Sequence, residues 1–140
     1  MKMSMQLGTW EALGALAGPI RLAVFVDEQK VPLDMEWDEW DARSLHALAR
    51  LPDGAAVGTG RLLPDGHIGR MAVLAPWRGQ GVGAAMLAAL MAEARARGLP
   101  RVVLHAQISA LGFYEKAGFV PEGDPFEEAG IIHRVMSRVL

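Results

Sequence analysis

Ile68-Gly69-Arg70-Met71-Ala72-Val73-Leu74, then Ala75-Pro76-Trp77, then Arg78-Gly79-Gln80-Gly81-Val82-Gly83-Ala84, is the stretch that decides the architecture of this chain. The first run is apolar and of strand length, and Pro76 closes it. The glycines then open a helix predicted over Gly81 to Arg97, in which Val82, Met86, Leu87, Leu90 and Met91 form one broad apolar face. Arg95 and Arg97 sit in its last turn, where cations complement the dipole; Gly98 suits the left-handed position after the helix, and Pro100 forbids continuation. Arg101 to Ala106 follows as a β-branched strand. Strand, glycine turn, helix and strand make a βαβ crossover.

Working outward, Lys2 to Leu7 reads as a strand and Thr9 as the cap of a helix reaching Leu16, which Pro19 is expected to interrupt. Leu22, Phe25 and Val26 give a second helical spacing over Ile20 to Glu28. Leu45 to Leu51 and Ala55 to Leu63 flank Pro52-Asp53-Gly54 and form a hairpin, with a second turn at Pro64-Asp65-Gly66. Ser109 to Ala117 is a helix ended by Gly118, and Ile131 to Val139 a closing strand. The pattern is α/β, of the α+β type, and 140 residues fit one domain spanning 1–140.

Composition narrows the chemistry. With no cysteine there is no disulfide, thiolate metal site or cysteine nucleophile. Histidines 46, 67, 105 and 133 lie too far apart for a helical His-x-x-x-His pair, so no metal is expected. A net charge of −2 and scattered arginines give no reason to bind nucleic acid. Apolar stretches stop well short of the roughly 20 residues of a membrane span, and Met1 to Thr9 lacks a signal-peptide core, so the expected location is cytoplasmic. Charge is uneven: Asp27 to Asp41 holds seven carboxylates (Asp27, Glu28, Asp34, Glu36, Asp38, Glu39, Asp41) against Lys30. Such a tract is either a solvated loop or an electrostatic platform for a cationic substrate, and Trp37 and Trp40 within it favour the platform.

The glycine turn is the chemical centre. Helix-opening N–H groups lack internal partners and the dipole there is positive, so Gly79, Gly81 and Gly83 let an anion approach the backbone while Arg78 adds charge. A Walker A loop is excluded because no Gly-Lys-Ser/Thr follows. The Rossmann expression is met formally by Gly79, Gly81 and Ala84, but Pro76-Trp77-Arg78 separates them from the strand, and no acidic residue ends the next strand.

Arg78-x-x-Gly81-x-Gly83 after a strand and before a helix resembles the acetyl-CoA pyrophosphate loop of the GNAT N-acetyltransferase superfamily. Ile68 to Val73 is similar to that family's central strand, and Phe113-Tyr114-Glu115-Lys116-Ala117-Gly118-Phe119 to its late helix. Val24-Phe25-Val26-Asp27-Glu28-Gln29, the acidic tract, Ala106-Gln107, Phe113-Tyr114, and His133 with Met136 resemble the ElaA-like subgroup. The resemblance implies six or seven mostly antiparallel strands flanked by helices, with two central parallel strands splayed apart to admit pantetheine. It implies acetyl-CoA as co-substrate, Met71, Ala72 and Val73 pairing with pantetheine, and Arg78, Gly79, Gln80, Gly81, Val82, Gly83 and Ala84 around the pyrophosphate. Many relatives place an Asn after the second splayed strand; this chain has none, and Gln107 stands there.

Acetyl transfer to an amine needs a neutral amine, an oxyanion site and a proton for the departing thiolate. The resemblance implies Tyr114, the sole tyrosine, as the acid, and backbone N–H near Val73 as the oxyanion site. Glu36, Asp38, Glu28 and His133 are candidates for the base; His105 ranks lower because its face of a central strand is expected to be buried. Without a thiol of its own, the chain is expected to transfer the group directly in a ternary complex to a small cationic amine. A non-catalytic acyl-CoA-binding sensor is the alternative, and a homodimer stays open.

Overall fold

The computed structural model describes residues 3–140, so Lys2 of the expected first strand lies outside the described residues. Strands β1 (Ser4–Gly8), β2 (Leu45–Arg50), β3 (Ala56–Leu62) and β4 (Ile68–Val73) form an antiparallel sheet in that order. A second antiparallel sheet runs in the order β5 (Arg101–Gln107), β7 (Ile131–Val139) and β6 (Val120–Glu128). The two meet along β4 and β5, which run parallel and touch through one bridge, His67 to Val103, where Val103 N–H donates to Gly66 O at 3.1 Å. Beyond that contact the strands part, as the resemblance implies.

Helices cover both faces because the central strands are apolar on both. α1 (Trp10–Arg21) presents Leu13, Ala17 and Ile20, with Val24 beyond it, to Leu48 and Ala72. α3 (Val82–Ala96) presents Leu87, Leu90, Met91 and Ala94 to Ala47, Leu62, Ile68 and Val102 on the opposite face. Thr9 caps α1, accepting from Ala12 N–H at 3.2 Å. Pro19 does not interrupt the helix as expected: α1 runs through it and continues as a π-helical segment, Leu22–Glu28. Burial of Leu13, Ala17, Ile20 and Val24 at spacings of four and three outweighs the roughly 3 kcal/mol that an interior proline costs.

The acidic tract is more ordered than a loop, holding the short α2 (Leu33–Glu36) and a 3₁₀ turn, Asp41–Arg43. α4 (Leu111–Lys116) falls within the expected Ser109 to Ala117. One strand, β6, has no counterpart in the sequence reading: Pro121, Gly123 and Pro125 read as breakers. An edge strand with a register shift between Glu122 and Phe126 tolerates all three.

β4 carries a bulge. Arg61 pairs with Gly69 and Thr59 with Ala72, so Arg70 and Met71 together face Gly60. Arg70 takes a positive φ of 50°. Gly60 leaves room there for the Met71 side chain, which would have to shift for an added Cβ, 2.5 Å from its sulfur.

Candidate active site

The parting of β4 and β5 opens a cleft of about 610 Å³, into which face Met71 from β4, Gln107 from β5, Tyr114 from α4, His133 from β7 and Glu36 from α2. The glycine loop follows the C-terminal end of β4, beyond the residues that line this cleft. Gly79 and Gly81 have φ of 75° and 83°, which L side chains rarely adopt, and a Cβ on either would meet nothing within 4 Å. Gly81 caps α3 without a side-chain bond, leaving the first N–H groups of a fifteen-residue helix directed at open space. Gly79, Gln80, Gly81 and Ala84 are exposed, whereas Val82 is buried. Gly83 packs against Phe113 of α4, whose ring lies 3.3 Å from where its Cβ would be. The loop therefore fits a pyrophosphate: a cradle open to solvent, with backbone donors and no obstructing side chain.

Arg78 is engaged elsewhere. Its Nε donates to Val73 O at 2.9 Å, and its Nη atoms hold both Glu28 carboxylate oxygens at 2.9 and 3.0 Å. Glu28 is thus a partner of the loop arginine. Met71 to Val73 belong to the sheet's last strand, paired with β3 on one side, and of the three Met71 lines the cleft. Gln107 is fixed by a 2.8 Å bond from its Nε2 to Gln29 Oε1, and lies opposite His133 in the β5–β7 register.

Tyr114 sits between the rings of Phe113 and Phe119, at 5.0 and 5.9 Å, and desolvation by burial pushes its hydroxyl up to about 12. At neutral pH it is a proton donor and not a phenolate. His133 is buried, with Nδ1 2.7 Å from Ile131 O; a carbonyl can only accept, so the neutral ring is the tautomer with its proton on Nδ1 and its lone pair on Nε2. That Nε2 lies 3.8 Å from Glu128 Oε2, while Glu128 Oε1 is 3.1 Å from His105 Nδ1. Phe126 stacks on His133 at 5.9 Å and meets His105 edge-on at 5.2 Å.

Glu128 and His105 are the members of this group that sequence reasoning missed or set aside. His105 is not on a buried face: Val102, Leu104 and Ala106 point to the core, and His105 points away from it. Glu128 ends β6, beside the Ala129-Gly130 turn in which both residues have positive φ. The turn is Ala-Gly and not one of the Asn-Gly or Asp-Gly pairs that mark such hairpins, so Gly130 was the one signal the sequence offered.

The acidic tract is not a free platform. Arg21 Nε binds Glu36 Oε1 at 2.6 Å and its Nη1 binds Asp41 at 2.7 Å, with Arg21 and Glu36 each 1% exposed. Arg61 binds Asp38 through both Nη atoms, at 2.7 and 2.9 Å, and Asp41 at 2.9 Å. Hydrogen bonding to Arg61 holds the Asp38 carboxyl below its ordinary range. Trp10 and Trp37 both lie 5.1 Å from the Arg21 guanidinium. Trp37 thus serves the buried ion network. Glu36, its Oε1 committed to Arg21, is better placed to anchor charge than to accept a proton.

Among the described residues no helix is long and apolar enough to cross a membrane. The acetyltransferase (GNAT) domain family matches residues 17–140. The uncharacterized N-acetyltransferase YjcF of Bacillus subtilis is 38% identical over 124 residues, covering 85% of this chain and 87% of that one. Among solved structures, an acyl-CoA N-acyltransferase from Pseudomonas aeruginosa superposes with a TM-score of 0.87 at 29% identity, over 98% of this chain and 99% of the other. Escherichia coli ElaA superposes equally well, TM-score 0.87, at 27% identity over 98% and 99% of the two chains.

Proposed function

Because the chain belongs to the GNAT acetyltransferases, we propose that it moves an acetyl group from acetyl-CoA to the amine of a small substrate, which enters as a cationic ammonium, by direct transfer in a ternary complex. The observation that supports this is the cleft between β4 and β5, lined by a proton donor, Tyr114, and by His133 with its Nδ1 against a carbonyl, in a fold whose glycine loop after β4 offers an open cradle at Gly79 and Gly81.

Acetyl-CoA, when bound, supplies an activated thioester. Gly79, Gln80, Gly81, Val82, Gly83 and Ala84 hold its pyrophosphate through backbone donors. Arg78 joins them by leaving Glu28, a cheap exchange because an exposed ion pair is worth about 0–1 kcal/mol. Met71, Ala72 and Val73 align the pantetheine arm along the edge of β4, and Gln107 borders it from β5. Glu128 draws the ammonium by charge. His133 takes a proton from it at Nε2, and the nearby Glu128 carboxylate stabilises the imidazolium that results. Tyr114 would hand its proton to the sulfur as the carbon–sulfur bond gives way to the new carbon–nitrogen bond, and would regain one from that nitrogen as it becomes an amide. Glu36 positions the acceptor wall by holding Arg21.

Calorimetric titration with acetyl-CoA, followed by release of free CoA across an amine panel, tests this. Gly81→Glu puts a side chain into the cradle at a positive φ and adds a charge facing the pyrophosphate; acetyl-CoA binding is expected to weaken at least 100-fold. Unchanged binding by that variant would remove the cradle from the reading. Tight binding by the parent without turnover would favour an acyl-CoA sensor.

A further inference from the structure

The three arginines gathered around the acidic tract are unequally satisfied. Arg21 and Arg61 each make charge-assisted bonds of 2.6 to 2.9 Å to two carboxylates. Arg70 makes none that short: its Nη2 reaches Asp38 Oδ2 at 3.3 Å and Met35 O at 3.4 Å. Its Nε is buried without a hydrogen-bond partner, as is that of Arg61; but Arg61 has three Nη bonds of 2.7 to 2.9 Å to carboxylates, whereas the Arg70 Nε has only Glu36 Oε2 at 3.9 Å. Yet Arg70 is held in the cleft wall by a bulge, at a φ of 50°, a conformation that a residue with a Cβ adopts at a cost. Burial, and after it the charge of Arg61, push its guanidinium below the ordinary arginine range, whereas Arg61 itself is raised by its carboxylates. Positive charge at Arg70 is under-compensated, and an anion arriving from the cleft would complete it.

Position along β4 says which molecule brings that anion. The glycine loop follows the C-terminal end of β4, and the acyl-CoA arm lies along Met71 to Val73. Arg70 is one residue further back, past the acyl end and on the side left for the acceptor. On another wall of the same cleft stand Glu128, His105 and His133, which suit an ammonium. We propose that the acceptor is amphoteric: a small amine that also bears an anionic group, a carboxylate or a phosphate, held by the Arg70 fork while its nitrogen faces His133. This rests on the acetyltransferase reading above and narrows its substrate class. A polyamine fits poorly, because its second cation would face Arg70.

Paired acceptors that differ only in the anion test it: an α-amino acid against its amide, and phosphoethanolamine against ethanolamine, each assayed by CoA release. The parent is expected to favour at least one anionic member by tenfold or more in kcat/KM. The pair that shows the preference separates carboxylate from phosphate. Arg70→Gln should bring that ratio close to one, and Arg70→Lys should keep part of it; calorimetric binding of acetyl-CoA reports that both variants are folded. Equal use of neutral and anionic members by the parent overturns the assignment. So does acetyl-CoA binding without turnover of any panel member, or a preference that survives in Arg70→Gln. Absence of acetyl-CoA binding by the parent would instead overturn the acetyltransferase mechanism, and this inference with it.

Discussion

Tyr114 is the residue at which packing and chemistry are easiest to separate. Its ring belongs to the core between Phe113 and Phe119, and burial pushes its hydroxyl up to about 12. Tyr114→Phe keeps the ring and deletes only the proton. Turnover is expected to fall by roughly 100-fold, as for loss of a general acid, with acetyl-CoA affinity unchanged by calorimetry; full activity would rule out the assigned role. Glu128 acts through a neighbour. Its Oε2 lies 3.8 Å from His133 Nε2, so Glu128→Gln should lower kcat/KM by about tenfold through loss of a charge-assisted partner. Added to His133→Asn it should cost less than it does alone, since the partnership with His133 is then already lost and only the attraction for the ammonium remains. Fully additive losses in that cycle would show that the two residues work independently. Tyr114 and His133 were legible as candidates in the sequence, the one through a helix resemblance and the other through a strand. Glu128 was not, because its position depends on β6. The carboxylates of the acidic tract looked available because their partners are distant in sequence: Arg21 stands 15 residues before Glu36, and Arg61 follows Asp38 by 23.

Among elements, those with a strong period were readable and those defined by position in the sheet were not. α3 and β5 fall within a residue or so of where the apolar spacing, Gly98 and Pro100 put them. β6 is mostly exposed and contains two prolines, so neither alternation nor propensity marks it; only its place at an edge permits it. The helix running through Pro19 was hidden for the opposite reason, since what overrides the proline is burial against Leu48 and Ala72, which no local window contains. The π-helical segment that follows has a functional reach. Its last residue, Glu28, ties it to Arg78 and so to the glycine loop, with side chains 43% and 39% exposed. In the proposed complex the pyrophosphate would draw Arg78 from this carboxylate and also bear its repulsion. Glu28→Gln is therefore expected to tighten acetyl-CoA binding about threefold to fivefold, the scale of an exposed ion pair. A weaker complex in that variant, measured by calorimetry at low salt, would mean that Glu28 orients Arg78 instead of competing for it.

Across the whole molecule, α1, α2, β3, β4 and the segment around Asp41 are joined by one buried ion network of Arg21, Arg61, Arg70, Glu36, Asp38 and Asp41. Arg21 and Arg61 hold the three carboxylates at 2.6 to 2.9 Å, with Arg70 more loosely attached on the cleft side, so removing Arg21 or Arg61 leaves carboxylate charge buried without its partner. His46 sits against it. Desolvation by burial lowers the pKa of His46 below 6.5, while Nε2 lies 2.8 Å from Asp41 O, and the Trp10 ring covers it at 4.9 Å. The sign of the pH effect follows. In the unfolded chain His46 takes its proton near pH 6.5, but in the folded chain only at lower pH. Its contribution to stability is therefore complete above pH 6.5 and is lost as pH falls through the folded value. Asp38 is also lowered, chiefly by Arg61, so its contribution is present above pH 3.8 and disappears below that. Stability should therefore fall in two pH intervals, the first beginning well above the carboxylate range. His46→Gln retains an amide donor for the Asp41 carbonyl but cannot titrate. Thermal melts followed by circular dichroism are expected to show the parent's midpoint declining from pH 7 towards pH 5 while that of the variant stays level, with both falling below pH 4. A decline in the variant parallel to the parent's over the upper interval would shift the pH sensitivity away from His46.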